Sequence, residues 1–245
     1  MKDDPANTQA RVLDAASTIF AARGFRGTTV ADICRQAEAN IAAVNYYFGS
    51  KKKLYREAWR HAHLSMLKAF PPDGAVPAGA PAELRLRGRI RGLLQRAIAG
   101  DGREFRIMNH EMTNPTGLLA EVVQDSLEPL RQAMRGILGE LLGDRADERV
   151  IQWCQLCVVA PCLQLVHRRH THRHAPKAAP TPAGPDPPTP AELEEMVDHF
   201  TSFALAGIRD IRRRLESGPA GHVQPADPAA QAAPGNSEAN NETIC

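Results

Sequence analysis

The stretch Thr28-Thr29-Val30-Ala31-Asp32-Ile33-Cys34-Arg35-Gln36-Ala37-Glu38-Ala39-Asn40-Ile41-Ala42-Ala43-Val44-Asn45-Tyr46-Tyr47-Phe48-Gly49-Ser50-Lys51-Lys52-Lys53-Leu54-Tyr55 decides the fold. Thr28 or Thr29 caps a short helix carrying Val30, Ile33, Cys34 and Ala37. Glu38-Ala39-Asn40 makes a tight connection, and Asn40 caps a second short helix over 41–47. Phe48-Gly49-Ser50 stops it, and Ser50 opens a helix running through Leu54, Ala58, Trp59 and Leu67 to about Phe70. Upstream, Val12, Leu13, Ala16, Ile19 and Phe20 fall at helical spacing over 8–23, with Gly24 as the stop. Short helices joined by turns of three or four residues have the spacing of a helix-turn-helix unit.

Outward from this block the sequence stays helical. Pro71 to Ala82 reads as a Pro/Gly/Ala linker with few means of burying surface. Apolar residues at helical spacing return over 83–99, 103–113 and 117–142. Pro129 is expected to kink or divide the last of these. Residues 146–171 form the most apolar helix, bent at Pro161, and 191–216 form a final one. The prolines of 175–190 mark a mobile loop, and the Pro/Ala/Asn-rich 217–245 a disordered tail. No segment alternates with a period of two. The expected fold is all-α, with about nine helices. An N-terminal three-helix domain spans 8–55, and a second helical domain, to which the resemblance given below assigns effector binding and dimerisation, spans 56–216.

Composition narrows the classes of function. The chain has 245 residues, a net charge of +2 and 5 Cys. No window is apolar enough for a membrane span, and the polar N-terminus carries no apolar stretch for a secretory signal. The cysteines, Cys34, Cys154, Cys157, Cys162 and Cys245, are too sparse for a disulfide framework, which fits the cytoplasm. No Gly-rich phosphate cradle, nucleophile elbow or His-Glu-x-x-His motif is present, so an enzyme is not expected. The near-neutral total hides an asymmetry. Residues 1–70 hold 11 Lys and Arg against six Asp and Glu. A basic block of this kind attracts phosphates.

The 41–47 helix has the chemistry of a base reader. Ala42 and Ala43 let backbone approach base edges, and Asn45 can pair with adenine. Tyr46 and Tyr47 offer hydroxyls to phosphates or bases, and Lys51, Lys52 and Lys53 can neutralise phosphates. The face made by Ala42, Asn45 and Tyr46 is poor core material.

Residues 8–60 resemble the DNA-binding domain of TetR-family transcriptional regulators. The likeness is carried by Thr28 to Cys34, Asn40 to Tyr47 and Phe48 to Tyr55, and it covers about a fifth of the chain. The run Asn40 to Lys51 looks most like the CecR branch, as do Arg103 to Pro115 and Cys154 to Gln164 less sharply. The resemblance implies a homodimeric repressor that binds a palindromic double-stranded DNA operator and is released by a small-molecule effector. It implies that Thr28, Thr29, Tyr47 and Lys51 meet phosphates, with Ile41, Ala42, Ala43, Asn45 and Tyr46 facing bases; Asn40 is taken as a further DNA-binding residue. Family members carry Gly in the motif turn where this chain has Glu38, a change that costs about 1 kcal/mol in a left-handed conformation.

Three other constellations compete for a role. Cys154, Cys157 and Cys162, followed by His167, His170, His172 and His174, are soft-metal or redox ligands by type, or small apolar core residues. A metal- or thiol-redox-responsive regulator is therefore the alternative, and an enzyme or carrier whose helical domain binds an apolar ligand, with a vestigial motif, is a third reading. No cofactor is implied. Arg85, Arg87, Arg89, Arg91 and Arg96 read as a solvated basic face. Phe105, Met108, His110, Glu111, Trp153 and Cys157 are the candidate pocket residues, with Trp153 equally suited to a dimer interface.

Overall fold

A computed structural model describes residues 5–99, 101–172 and 188–217. Among them the chain is all-helical: α1 (Pro5–Arg23), α2 (Val30–Ala37), α3 (Ile41–Phe48), α4 (Lys51–Ala69), α5 (Ala82–Ala99), α6 (Arg103–Thr113), α7 (Ala120–Leu142), α8 (Glu148–His172) and α9 (Pro190–Ser217). The expected loop at 175–190 lies outside the described residues up to 187, as does the expected tail beyond Ser217.

Two apolar clusters organise the chain. The first gathers Phe20, Ile33, Phe48, Leu54 and Tyr55 from α1 to α4, and is closed from below by Ile107, Leu119 and Val122. Phe20 meets Tyr55 edge-on at 4.8 Å between ring centroids, a favoured aromatic geometry. The second gathers Leu86, Ile90, Leu94, Leu138, Val197 and Ile208 from α5, α7 and α9, with Cys154 and Cys162 of α8 buried among them. α5 is the hub of this second layer, packing on α7, α8 and α9. α4 starts in the first cluster with Leu54 and Tyr55 and stays buried beyond it at His63 and Met66.

Two expectations change. The segment 71–82 is docked, not loose, because α5 offers it glycines. A Cβ on Gly88 would collide with the Asp73 carbonyl, and one on Gly92 would stand 2.6 Å from that of Pro71. Backbone thus packs on backbone, and Arg85 Nε donates to the Ala80 carbonyl at 2.8 Å. Secondly, α7 runs unbroken from Ala120 to Leu142 with Pro129 inside it, so the proline does not divide the helix. Pro161 likewise lies within a continuous α8.

Candidate nucleic-acid interface and effector cavity

Local hydrogen bonds set the first four helices. Thr29 caps α2 in a reciprocal box: Asp32 N–H donates to Thr29 Oγ1 at 3.1 Å, and the Thr29 backbone N–H donates to the Asp32 carboxylate. The Thr29 hydrogen bonds hold the Asp32 carboxyl below its ordinary value. Asn40 Oδ1 accepts from Ala42 N–H at 2.9 Å and caps α3. Ser50 Oγ accepts from Lys53 N–H and caps α4. Glu38 takes the left-handed conformation, φ 50° and ψ 43°, that favours glycine. The turn closes through Ala39 N–H to the Cys34 carbonyl at 3.0 Å.

This framework fixes what α3 shows. Val44 and Phe48 are buried beneath it, while Ile41, Ala42, Asn45 and Tyr46 face outward. Tyr46 is 84% exposed and meets the Tyr47 ring edge-on at 5.2 Å between centroids. Ala43 and Tyr47 are half-buried at the flank. Lys51 rests its ammonium 4.4 Å from the Phe25 ring centroid, so its stem is ordered and its charge stays at the surface. Thr28 departs from its expected phosphate contact. It is buried, and its hydroxyl donates to the Gly24 carbonyl at 2.7 Å, closing the turn between α1 and α2.

Below the head, α6 ties the two layers. Arg103 donates to Asp14 and Ser17 on α1. The His110 ring lies against Gly24, where a Cβ would stand 3.2 Å from it. Glu111 accepts from Tyr55 Oη at 3.3 Å and from the Thr116 and Gly117 N–H groups at 2.9 and 2.8 Å. Burial and the Glu111 charge raise the Tyr55 phenol. His110 and Glu111, expected in the pocket, are therefore joints between head and body. Glu111 is committed to capping the turn before α7.

A cavity of about 640 Å³ opens among α4, α5, α6, α7 and α8. Phe105 and Met108 line it, with Leu93, Leu130, Met134 and Val159 adding apolar wall. At one end the Trp59 and His63 rings stack, 5.1 Å apart and 8° from parallel. His63 Nδ1 lies 2.6 Å from Glu104 Oε2, and both side chains are buried. A carboxylate at that distance assigns the ring proton to Nδ1. Among the described residues Trp59 Nε1 and His63 Nε2 have no hydrogen-bond partner. Trp59, His63, Arg89, Arg96 and Glu104 were not anticipated as wall residues. A histidine in the buried register between Trp59 and Met66 was the available signal.

Trp153 and Cys157 face elsewhere. They line a second apolar groove of about 630 Å³ with Phe200, Phe203 and Ile208, between α8 and α9 on the outer side of the body. Trp153 is 58% exposed, Leu156 65% and Phe203 78%. Cys154 and Cys162 are core residues, and burial pushes the Cys162 thiol up to about 11. Such thiols hold their protons and are poor nucleophiles. Among the described residues no three His, Cys, Asp or Glu side chains are arranged to hold a metal ion. His174 and the side chains of His167, His170 and His172 lie outside the described residues.

Comparison with known proteins agrees with this arrangement. The model described as "Bacterial regulatory proteins, tetR family" matches residues 12–58. The one described as "HTH-type transcriptional dual regulator CecR, C-terminal domain" matches residues 82–208. The HTH-type transcriptional repressor NicS of Pseudomonas putida is 36% identical over 62 residues, covering 25% of this chain and 29% of that protein. The negative regulator IcaR of the Staphylococcus aureus biofilm operon is 35% identical over 48 residues, covering 20% and 26%. The chain thus matches less than a third of the length of either relative. A TetR-like regulator from Rhodococcus sp. RHA1 superposes with a TM-score of 0.57 at 19% identity, covering 82% of this chain and 96% of that one. AibR, solved with isovaleryl coenzyme A and operator DNA, superposes with a TM-score of 0.53 at 15% identity, covering 80% and 97%. These two share the fold. With one model on the head and another on more than half of the chain, the protein belongs to the TetR family of bacterial regulatory proteins, with a C-terminal domain of the CecR type.

Proposed function

We propose that this chain is a homodimeric, DNA-binding transcriptional repressor released from a palindromic operator by a small molecule held in the body. The observation that carries the reading is the outer face of α3. Ile41, Ala42, Asn45 and Tyr46 stand exposed on a capped helix over a filled core, with Lys51, Lys52 and Lys53 beside them. Small residues, an amide and an exposed tyrosine suit base edges, and the lysines suit flanking phosphates. Asn40 keeps its amide nitrogen free while its oxygen caps the helix. The exposed apolar face of Trp153, Leu156 and Phe203 suits a second copy, in a four-helix contact of α8 and α9 with their mates. Two heads held in this way would read successive major grooves. A ligand in the cavity would act through α4 and α6, which bear both cavity wall and head contacts, and its binding would couple reciprocally to that of DNA. Such a protein works in the cytoplasm, where its DNA is.

The test is selection of bound fragments from a genomic library, followed by titration with salt. A palindromic site is expected, with affinity falling steeply as salt rises. Lys51→Ala should lower the magnitude of the salt slope by about one, and Tyr46→Ala should abolish site preference with ligand binding intact. Binding that is sequence-independent on every fragment overturns the reading.

A further inference from the structure

The arginines of α5 divide into two sets. Arg85, Arg87 and Arg91 reach outward to carboxylates on other helices: Arg85 to Glu140, Arg87 to Glu194 and Asp198, Arg91 to Glu194. Arg89 and Arg96 turn inward, to the cavity wall. The basic run expected as one solvated face is therefore two faces with different fates. Arg96 is 7% exposed, and its one hydrogen bond runs from Nη1 to the Phe70 carbonyl at 3.2 Å. Arg89 has no hydrogen bond or ion pair among the described residues, and Asp73 attracts it only at longer range.

A guanidinium carries five N–H donors in a rigid fork, and buried donors left without acceptors are costly. Seven residues apart on one helix, Arg89 and Arg96 stand on one face about 10 Å apart along the axis. Across the cavity, Arg106 adds a buried Nε without a partner. Arg131, also on the wall, already donates to Gln124 and faces Glu128. Glu104 is the one carboxylate on the wall, and it is engaged by His63. The cavity therefore holds an excess of positive charge on an otherwise apolar lining. Glu104 offsets part of it at Arg96, and Asp73 attracts Arg89, without a hydrogen bond to either guanidinium among the described residues.

We propose that the cavity takes an apolar organic molecule bearing one oxyanion group, which sits between the Arg89 and Arg96 guanidiniums. Its apolar body lies along Leu93, Phe105, Met108, Leu130 and Met134. This rests on the reading of the cavity as the effector site, and it narrows the effector to amphipathic acids. The oxyanion supplies acceptors to both forks, and a charge-assisted hydrogen bond is stronger than a neutral one. Neutral and cationic molecules of the same shape leave the forks unpaired or add repulsion.

The test uses two fluorescent probes with one ring system, 1-anilinonaphthalene-8-sulfonate and uncharged N-phenyl-1-naphthylamine, titrated into the full chain without DNA. The sulfonate is expected to bind at least about tenfold tighter, and Arg89→Gln and Arg96→Gln should each weaken it about tenfold. Affinity for the neutral probe should stay within about twofold in both variants. Decanoate should displace the sulfonate probe where decanol at the same concentration does not. Arg89 is only half-buried, so Arg89→Gln keeps the test alive if the Arg96 variant fails to fold. Equal affinities for the two probes, or unchanged sulfonate binding in Arg89→Gln, overturns the proposal. Because no DNA is present, that failure leaves the repressor reading standing. Failure of that reading would appear as sequence-independent DNA binding with probe binding intact.

Discussion

The head and the body use their interiors in opposite ways. The head is filled: Phe20, Ile33, Leu54 and Tyr55 close its centre, and its distinctive chemistry lies outside, on α3. The body is hollow, with a cavity of about 640 Å³, and its distinctive chemistry lines the inside. Their polar bonds differ as well. In the head, caps join residues two or three apart, Asn40 to Ala42, Thr29 to Asp32 and Ser50 to Lys53. In the body, His63 meets Glu104, Arg96 meets Phe70 and Arg87 meets Glu194, all distant in sequence. A reading surface needs a rigid support, whereas a responsive cavity needs space and partners drawn from several helices.

The largest effect expected from this contrast is a pair of truncations. Phe20 is fully buried between Phe25 and Tyr55, so Phe20→Ala should cost about 3–5 kcal/mol in urea unfolding. Leu130 borders the cavity and is only half-buried, so Leu130→Ala enlarges an existing space and should cost about 1 kcal/mol. Similar losses for the two variants would mean that the cavity is collapsed in solution, and the contrast between filled and hollow would fail.

A smaller effect separates the interiors by pH. Burial holds the Cys162 thiol at about 11, against an ordinary 9.0. Below pH 9 folded and unfolded chains both keep the proton, and this contribution is fully present. Between about 9 and 11 the unfolded chain ionises first, so stability falls as pH rises, by about 2–3 kcal/mol in all. Tyr55 in the head is also raised, by burial first and then by Glu111, so it adds a loss that begins above about 10. Urea midpoints from pH 8 to 10.5 should therefore drop in the parent chain and drop less in Cys162→Ala, where the raised Cys34 and Cys154 thiols remain. An identical early drop in both would remove Cys162 as its source.

The same contrast explains what could be read in advance. The head was legible because its signals are local: Thr29, Asn40 and Ser50 each announce a helix that starts at the next residue. Ala42, Asn45 and Tyr46 share a face by helical spacing alone. What the sequence did not announce at Thr28 is its hydroxyl's bond to the Gly24 carbonyl, which depends on how the chain turns there. The body gave up its helices but not its site. Nothing in the spacing of Arg85, Arg87, Arg89, Arg91 and Arg96 says which of them will find Glu140, Glu194 or Asp198 across the bundle. Glu111 looked like a pocket acid for the same reason, since its partners Tyr55 and Thr116 lie on other elements.

The smallest effect returns to the one place where the head breaks its own local rules. Glu38 sits at φ 50° in the turn between α2 and α3, where a Cβ costs about 1 kcal/mol and glycine costs none. Glycine also loses more freedom on folding, which offsets part of the gain, so Glu38→Gly should stabilise the chain by at most about 1 kcal/mol. The side chain is exposed, so no packing is lost with it. Removing a carboxylate beside the basic face should also tighten DNA binding, and that gain should shrink as salt rises because it is electrostatic. Glu38→Gln separates the two contributions: it keeps the strained Cβ and removes only the charge. If Glu38→Gln reproduces the whole stability gain of Glu38→Gly, the strain at this turn is negligible and charge alone distinguishes it. If neither variant changes the salt dependence of DNA binding, Glu38 lies too far from the phosphates to matter, and the turn is a purely structural departure from the family pattern.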